Sequence, residues 1–236
     1  MAFIEIRNLH YRYPNSEAWV IKDIRLRFEN EKAVIAGSTG SGKTTLLRVM
    51  SGLITRIYGG ELVGEVEVNG RVAYVPQNFD LYMLMSTARD ELTYILSGRG
   101  LTLTEVEIEL RRLSDALGIH DILDRNIMKL SMGERQRVAI ASALALSPDI
   151  LLLDEPFAHI DPKGVLNLLK ILKGIDVTVI IAEHKLRYLF GWINRVVLLR
   201  EGTVVYDGPL SNAPPLDQDI EWPLELIMRG DLIRVN

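Results

Sequence analysis

The sequence contains no cysteine, which excludes disulfide bonds, thiolate metal sites and cysteine nucleophiles. It also contains no apolar run near the ~20 residues that a membrane-spanning helix needs, and a run such as residues 177–182 has only the length of a buried strand. Residues 1–7 lack the basic and then apolar pattern of a signal peptide, so we expect none. If the protein acts at a membrane, we expect other polypeptides to cross it.

A surplus of basic residues is missing as well. The 27 lysines and arginines stand against 31 acidic residues, which gives a formal net charge of -4. Proteins that bind nucleic acid by releasing counterions usually carry a positive balance, so we expect no nucleic-acid partner. With 48% apolar residues among 236, the chain is long enough to bury a sizeable core.

The first eighty residues predict β-strands around one short helix. Residues 3–9 and 20–28 alternate between apolar and polar, which is typical of half-buried antiparallel strands. Residues 32–36 form an apolar run that predicts a buried strand, and residues 43–50 have helical composition. The pair Asn69-Gly70 is a strong signal for a hairpin turn between two short strands.

Beyond residue 86 the pattern becomes helical and then alternates between helix and strand. Within 86–130, Thr104 and Glu107 fit a capping box and Gly118 fits a helix stop. Later alternation predicts an α/β core with parallel strands. Its predicted elements are helices at 133–146 and 162–172, strands at 150–153 and 177–182, and a closing hairpin over 196–206.

Residues 37–44 read Gly-Ser-Thr-Gly-Ser-Gly-Lys-Thr and fit the P-loop pattern G-x-x-x-x-G-K-[ST]. The glycines let backbone N–H groups turn toward phosphate oxygens, and the following helix adds its positive end. We expect Lys43 to hold the β- and γ-phosphates and Thr44 to bind Mg²⁺. The predicted ATP-binding residues of this segment are Gly37, Ser38, Thr39, Gly40, Ser41, Gly42, Lys43, Thr44 and Thr45.

A second chemical motif follows the predicted strand at 150–153, where the chain reads Asp154-Glu155-Pro156. Parallel sheets bind ligands at the carboxyl ends of their strands. We therefore expect Asp154 to contact Mg²⁺ and Glu155 to act as the general base for an attacking water. Such a segment alone is more often an acidic turn, but the P-loop upstream favours the catalytic interpretation.

Residues 130–136, Leu-Ser-Met-Gly-Glu-Arg-Gln, resemble the signature of ATP-binding-cassette (ABC) ATPases, usually Leu-Ser-Gly-Gly-Gln. Ser131 and Gly133, which the resemblance places against phosphate, are present. Met132 and Glu134 depart from the pattern, so the backbone at Met132 must avoid conformations that only glycine adopts. Alone, this segment would be interpreted as a helix start.

Other motifs resemble the same family in the same order. Gln77 matches the Q-loop, which contacts ATP and Mg²⁺, and Asp161 matches the acid of the D-loop at 158–161. His184 matches the switch histidine, a catalytic residue. Tyr13 lies where the family stacks an aromatic ring on adenine, and Tyr11 competes for that role. Singly, each of these residues has an ordinary structural interpretation.

The resemblance implies an α/β fold in which a P-loop NTPase core carries an antiparallel β subdomain and an inserted α-helical subdomain. It implies one nucleotide-binding domain over 1–208, with the helical signature subdomain at about 78–135, and an irregular extension over 209–236. It also implies a head-to-tail dimer with an identical or paralogous subunit. In that dimer the signature and Asp161 of one chain meet the ATP on the P-loop of the other.

The implied function is that of an ATP-hydrolysing motor subunit, with ATP and Mg²⁺, on the cytoplasmic face of the membrane and driving transport through separate transmembrane subunits. Residues 77–81, 87–92 and 183–186 look most like the ATPases of energy-coupling-factor (ECF) transporters, which import vitamins or metal ions. The alternative is a soluble ABC ATPase of DNA repair, chromosome maintenance or translation. Long heptad repeats or a second cassette, which those proteins usually contain, are not visible.

Residues 79–85 contain six apolar side chains in seven positions, more than one strand or helix face can bury. Methionine adapts its shape to a partner surface. We therefore expect Tyr82 and Met83 to line a docking groove for a helix of a transmembrane subunit. Burial in the core is the ordinary alternative for most of this segment.

Overall fold

The computed structural model describes residues 1–158, 160–214 and 219–227, in which the strands form one sheet of three and one of six. The strands are β1 (Phe3–Arg12), β2 (Ile21–Glu29), β3 (Lys32–Ala36), β4 (Glu61–Asn69), β5 (Val72–Val75), β6 (Ile150–Asp154), β7 (Thr178–Ala182), β8 (Arg195–Arg200) and β9 (Thr203–Pro209). The helices are α1 (Lys43–Met50), α2 (Ala88–Gly98), α3 (Leu103–Leu117), α4 (Met132–Ala145), α5 (Pro162–Lys173) and α6 (Leu224–Ile227). Among these described helices, none is long and apolar enough to cross a bilayer.

The six-stranded sheet has the order β5-β6-β7-β3-β8-β9. Its first five strands run parallel, and β9 pairs antiparallel with β8 as the predicted closing hairpin. Because parallel strands end at the same edge, the segments that follow β3, β5, β6 and β7 meet there. This edge therefore gathers the P-loop, Gln77, Glu155 and His184.

The six-stranded sheet is covered on both faces, as parallel sheets normally are. In β3, Ala33 and Ile35 face a core that includes α1 and the three-stranded sheet. Val34 and Ala36 face the opposite core, to which α2, α3, α4 and α5 contribute. The predicted α/β fold, with an antiparallel β subdomain and a helical subdomain, is confirmed.

The three-stranded sheet has the order β2-β1-β4 with antiparallel pairs. The hairpin predicted at Asn69-Gly70 is wrong, because β4 pairs with β1 whereas β5 pairs in parallel with β6. The turn sends the chain from one sheet to the other. Asn69 and Gly70 favour a change of chain direction. The strand with which β5 pairs is decided instead by the burial of Ala73 and Val75 in the core on the helical side of the six-stranded sheet.

The helix α3 begins two residues earlier than predicted. Thr102, not Thr104, is its N-cap: the Thr102 hydroxyl accepts from the Glu105 amide at 3.4 Å, and Glu105 accepts from the Thr102 amide at 2.8 Å. Both pairs satisfy the capping-box spacing, so the local pattern could not separate them. The predicted stop is confirmed, since Gly118 adopts left-handed backbone angles with φ 59° and ψ 44°.

The segment after β9 was expected to be irregular. Its described part lies against the helical side of the large sheet, where Leu210, Ile220 and Trp222 are buried. Residues 224–227 form the short helix α6, so this part of the extension is regular. Residues 215–218 and 228–236 of the predicted extension lie outside the described residues.

Candidate functional site

The loop between β3 and α1 needs glycine at two positions for steric reasons. Gly42 is the N-cap of α1 with φ 106°, and a Cβ there would lie 3.0 Å from Cδ1 of Ile21. A Cβ on Gly37 would clash with the carbonyl oxygen of Leu199 and, at 2.5 Å, with Oγ of Ser41. Small side chains therefore let the loop fold tightly over the start of α1.

The ammonium group of Lys43 lies inside this loop. Its Nζ donates to the carbonyl oxygens of Gly37 at 2.7 Å and Ser38 at 3.0 Å, and Lys43 is only 5% exposed. The first turn of α1 carries no acidic residue. The loop therefore concentrates a full positive charge and the positive end of a helix at one place, which is suited to an anion.

A cavity of about 310 Å³ opens at this place. It joins most of the predicted phosphate-binding loop with the predicted Q-loop glutamine and the predicted base. The residues on its lining are Val20, Thr39, Gly40, Gly42, Lys43, Thr44, Thr45, Gln77 and Glu155. Gly37, Ser38 and Ser41 shape the loop beneath this lining, and Tyr13, Asp154 and His184 stand outside it.

Asp154 lies directly behind the cavity and is 2% exposed. Its Oδ1 accepts from the Thr44 hydroxyl at 3.0 Å, and its Oδ2 accepts from the Tyr74 hydroxyl at 2.9 Å. Burial raises the pKa of Asp154, and these two hydrogen bonds offset part of the effect. A neighbouring cation would remove the cost of the buried charge.

The oxygen donors of Thr44 and Asp154 fit Mg²⁺, which prefers hard oxygen ligands. Within the part of the chain that the structure describes, no three acidic or histidine side chains cluster as a metal site. Mg²⁺ is usually bound by one or two carboxylates together with substrate phosphates and water, and Asp154 supplies one carboxylate. Gln77 is also a predicted ligand, but its Nε2 donates to Oε2 of Glu155 at 2.9 Å.

Glu155 has a backbone conformation that is uncommon for its residue type. Its φ is 46°, in the left-handed region, and its amide donates to the carbonyl of Ala182 at 2.9 Å. This geometry turns the chain at the end of β6 and places the Glu155 side chain on the cavity lining beside Gln77. Backbone strain of this kind is concentrated at functional sites.

His184 follows β7 and pairs with a residue that the sequence analysis missed. Its Nδ1 lies 3.2 Å from Oε1 of Glu183, which also accepts from the amides of His184 at 2.8 Å and Lys185 at 3.1 Å. Glu183 is fully buried, and burial raises its pKa. The sequence does contain a signal for Glu183. It directly follows the predicted strand 177–182, just as Asp154 directly follows the predicted strand 150–153.

The two candidate tyrosines for adenine stacking have different surroundings. Tyr11 is fully buried and donates to the carbonyl of Gly59 at 2.7 Å, so its ring cannot meet a ligand. Tyr13 is half-buried, with its hydroxyl 3.1 Å from Oγ1 of Thr45. Val20, which no motif singled out, lines the cavity. In the sequence, Val20 was visible only as the first apolar residue of the predicted strand 20–28.

The signature residues lie at the start of α4. Ser131 is the N-cap, and its amide donates to Oε2 of Glu134 at 2.7 Å in a capping box. Met132 is the first helical residue, so its backbone has no need of glycine. The departures Met132 and Glu134 are thus compatible with the helix, and Glu134 helps to start it.

These signature residues line a second cavity, of about 350 Å³. Asp161 also borders it and is the N-cap of α5, accepting from the amides of Lys163 at 2.9 Å and Gly164 at 3.0 Å. Among the residues that the structure describes, this cavity and the P-loop cavity share none. His159 of the predicted D-loop lies outside the described residues.

Comparisons with known proteins agree with these motifs. Residues 21–158 match the family model described as "ABC transporter". The chain is 33% identical over 225 residues to an ABC transporter ATP-binding protein of Methanosarcina mazei, of which it covers 38%. It is 33% identical over 226 residues to one of Pyrococcus abyssi, of which it covers 81%. The chain spans less than half the length of the first curated relatives that it matches.

A solved structure is similar along most of the chain. It is that of CbiO1 from Clostridium perfringens, described as part of the ABC transporter complex CbiONQ. The TM-score is 0.77 at 25% sequence identity, and the match covers 87% of this chain and 88% of CbiO1.

The strained backbone of Glu155 leads to a stability prediction. At this position we expect glycine to be more stable than alanine by about 1 kcal/mol, because only glycine adopts the left-handed conformation without a Cβ clash. Both substitutions remove the carboxylate, so their difference isolates the backbone. The measurement is the free energy of unfolding from urea titration of Glu155→Gly and Glu155→Ala.

Glu107, an exposed residue inside α3, provides the matched control. There alanine should be the more stable by about 1 kcal/mol, since glycine disfavours a helix interior. If alanine were the more stable residue at both positions, the strain at Glu155 would be refuted.

Proposed function

Because the chain belongs to the ABC transporter family of ATPases, we propose that it is the motor subunit of a membrane transporter, hydrolysing ATP at the cytoplasmic face of the membrane. The observation that carries the proposal is the separation of the P-loop cavity from the signature cavity. A chain whose signature borders a different cavity from its P-loop needs a second subunit to complete an ATP site. Closure of two such subunits is a motion that can drive separate transmembrane subunits.

The P-loop cavity has the charges that ATP requires. Lys43 exchanges its two loop carbonyl partners for the β- and γ-phosphate oxygens, which as anions are the stronger acceptors. The N-terminus of α1 faces the same phosphates. Thr44 and Asp154 would hold Mg²⁺ through oxygen, with Gln77 as a further ligand. Mg²⁺, when bound, supplies positive charge that neutralises the phosphate oxygens.

Glu155 is the general base in this proposal. It takes a proton from the water that attacks the γ-phosphorus, while the bond to the leaving ADP oxygen breaks. Gln77 fixes the carboxylate through its hydrogen bond to Oε2. His184, oriented by the buried Glu183, is the second catalytic residue and a donor to the γ-phosphate. Tyr13 contacts the adenine ring in this proposal, and Val20, which lines the cavity, contributes to the same contact.

The second subunit contributes Ser131, Gly133 and the start of α4. A helix N-terminus is an anion site, and the signature cavity provides the space in front of it. Asp161 borders the same cavity. We therefore propose a head-to-tail dimer of this chain, or of this chain with a paralogue, around two ATP molecules.

A mixing experiment tests the composite site. Lys43→Ala damages the P-loop and Ser131→Arg blocks the signature, so each variant alone should lose about 10²-fold or more in ATP turnover. A mixed dimer keeps one site with an intact P-loop and an intact signature. We expect a 1:1 mixture to recover roughly a quarter of wild-type turnover, because half of the dimers are mixed and each has one intact site.

The matched control mixes Lys43→Ala with the double variant Lys43→Ala/Ser131→Arg, which leaves no intact site and should stay inactive. ATP binding by isolated Ser131→Arg should equal that of the wild type. Loss of ATP binding in that variant, or no activity on mixing, would mean that the signature does not act across a dimer.

The proposed docking surface for a transmembrane subunit is the cavity of about 160 Å³ that Tyr82 and Met83 line. Phe79 is buried at its base, whereas Tyr82 is 51% and Leu81 is 81% exposed. The buried carboxylate of Glu91 accepts from the amides of Leu84 at 2.9 Å and Met85 at 2.8 Å, which holds this loop in shape. The surface is thus apolar, accessible and preformed.

We propose a cytoplasmic helix of a transmembrane subunit as the occupant of this surface, in an ECF-type importer of a vitamin or a metal ion. The similarity to CbiO1, itself described as part of a transporter complex, supports a multi-subunit assembly. The resemblance of residues 77–81, 87–92 and 183–186 to ECF ATPases supports the type. The transported substrate does not contact this subunit in the proposal.

A charge on the docking surface tests this assignment. Tyr82→Glu should weaken association with the transmembrane subunits by at least about tenfold, because an unpaired charge would be buried in the interface. The measurement is co-purification of the tagged chain with its membrane partners. ATP binding by the isolated variant should stay normal, since Tyr82 is half exposed.

Leu103→Glu is the matched control, because it places the same charge on an apolar residue that is 86% exposed at the start of α3. It should leave assembly unchanged. Equal assembly of Tyr82→Glu and the wild type would place the partner elsewhere.

A further inference from the structure

Tyr74 connects two parts of the molecule that the proposed function treats separately. It is the third residue of β5, and its hydroxyl donates to Oδ2 of Asp154 at 2.9 Å. Tyr74 is also one of the residues that border the docking cavity, together with Phe79 and Met83, and its side chain packs against the core that includes α1. β5 and β6 are parallel neighbours in which Tyr74 pairs with Leu152, so the strand register places the hydroxyl near the end of β6.

The two carboxylate oxygens of Asp154 have different donors. Oδ1 accepts from Thr44, which lines the P-loop cavity, and Oδ2 accepts from Tyr74. Among the described residues, Tyr74 is the one side chain that donates to Oδ2. A buried carboxylate with a donor on each oxygen has one preferred rotation, whereas loss of one donor leaves a buried oxygen unpaired.

We propose that Tyr74 is a positioning residue that occupies Oδ2 of Asp154 and thereby turns Oδ1 toward Thr44 and the metal of the bound nucleotide. The inference rests on the proposed roles of Thr44 and Asp154 as metal ligands. Tyrosine is suited to the task because its side chain packs against the core that includes α1, which fixes the hydroxyl. Partners of this kind orient metal-binding side chains in many proteins.

The test compares Tyr74→Phe, which removes only the hydroxyl, with the wild type. The probe is Mn²⁺, whose free concentration is measured by electron paramagnetic resonance in the presence of saturating non-hydrolysable ATP analogue. We expect Tyr74→Phe to weaken Mn²⁺ binding about 10- to 100-fold. Binding of the analogue in EDTA should be unchanged, because the phosphate contacts of Lys43 do not involve Tyr74.

Tyr94→Phe is the matched control: Tyr94 is an exposed tyrosine of α2 and should show wild-type Mn²⁺ binding. Normal Mn²⁺ binding by Tyr74→Phe would overturn the proposal. Loss of analogue binding in EDTA would also overturn it, because Tyr74 would then support the fold. If the wild type itself bound no Mn²⁺ with the analogue, the proposed metal site would fail, which is a different outcome.

A double-mutant cycle with Asp154→Asn tests whether Tyr74 acts through Asp154. In that background, Tyr74→Phe should cause no further loss of Mn²⁺ binding. Additive losses would show that the two residues act independently and would contradict the proposal.

Discussion

The common edge at which the parallel strands end is the constraint on which the rest of the site depends. β3, β5, β6 and β7 run in the same direction, so the segments that follow them are brought together although they are far apart in sequence. Each strand is short and buried, and its last residue therefore fixes where the next side chain lies. The P-loop, Gln77, Glu155 and His184 need no other scaffold to converge.

The two faces of the sheet separate the parts of the ATPase. α1 and the three-stranded sheet cover one face, and the helices that include the signature cover the other. The P-loop cavity and the signature cavity therefore border different residues of the chain. In the proposed dimer, ATP would link these two surfaces across the subunit boundary.

Local sequence patterns predicted those parts of the fold that depend on interactions between residues close together in the chain. The P-loop, the bounds of α1 and the stop at Gly118 depend on residues a few positions apart. The pairing of strands that are distant in sequence was harder to predict. The Asn69-Gly70 turn was interpreted as a hairpin because no residue near it indicates that β5 pairs with β6. Tyr74 was missed for the same reason, since its importance lies in the contact of its hydroxyl with a residue eighty positions away.

In the proposed mechanism, two chains enclose ATP and Glu155 removes the proton from the attacking water. The most direct measurement is on Glu155→Gln, which keeps the shape of the side chain and an acceptor for Gln77. We expect ATP turnover to fall about 10²- to 10⁴-fold while ATP is still bound. With ATP and Mg²⁺ the variant should elute as a dimer in size exclusion, and without nucleotide as a monomer. Turnover at the wild-type rate, or a monomer that binds ATP without dimerising, would contradict the account.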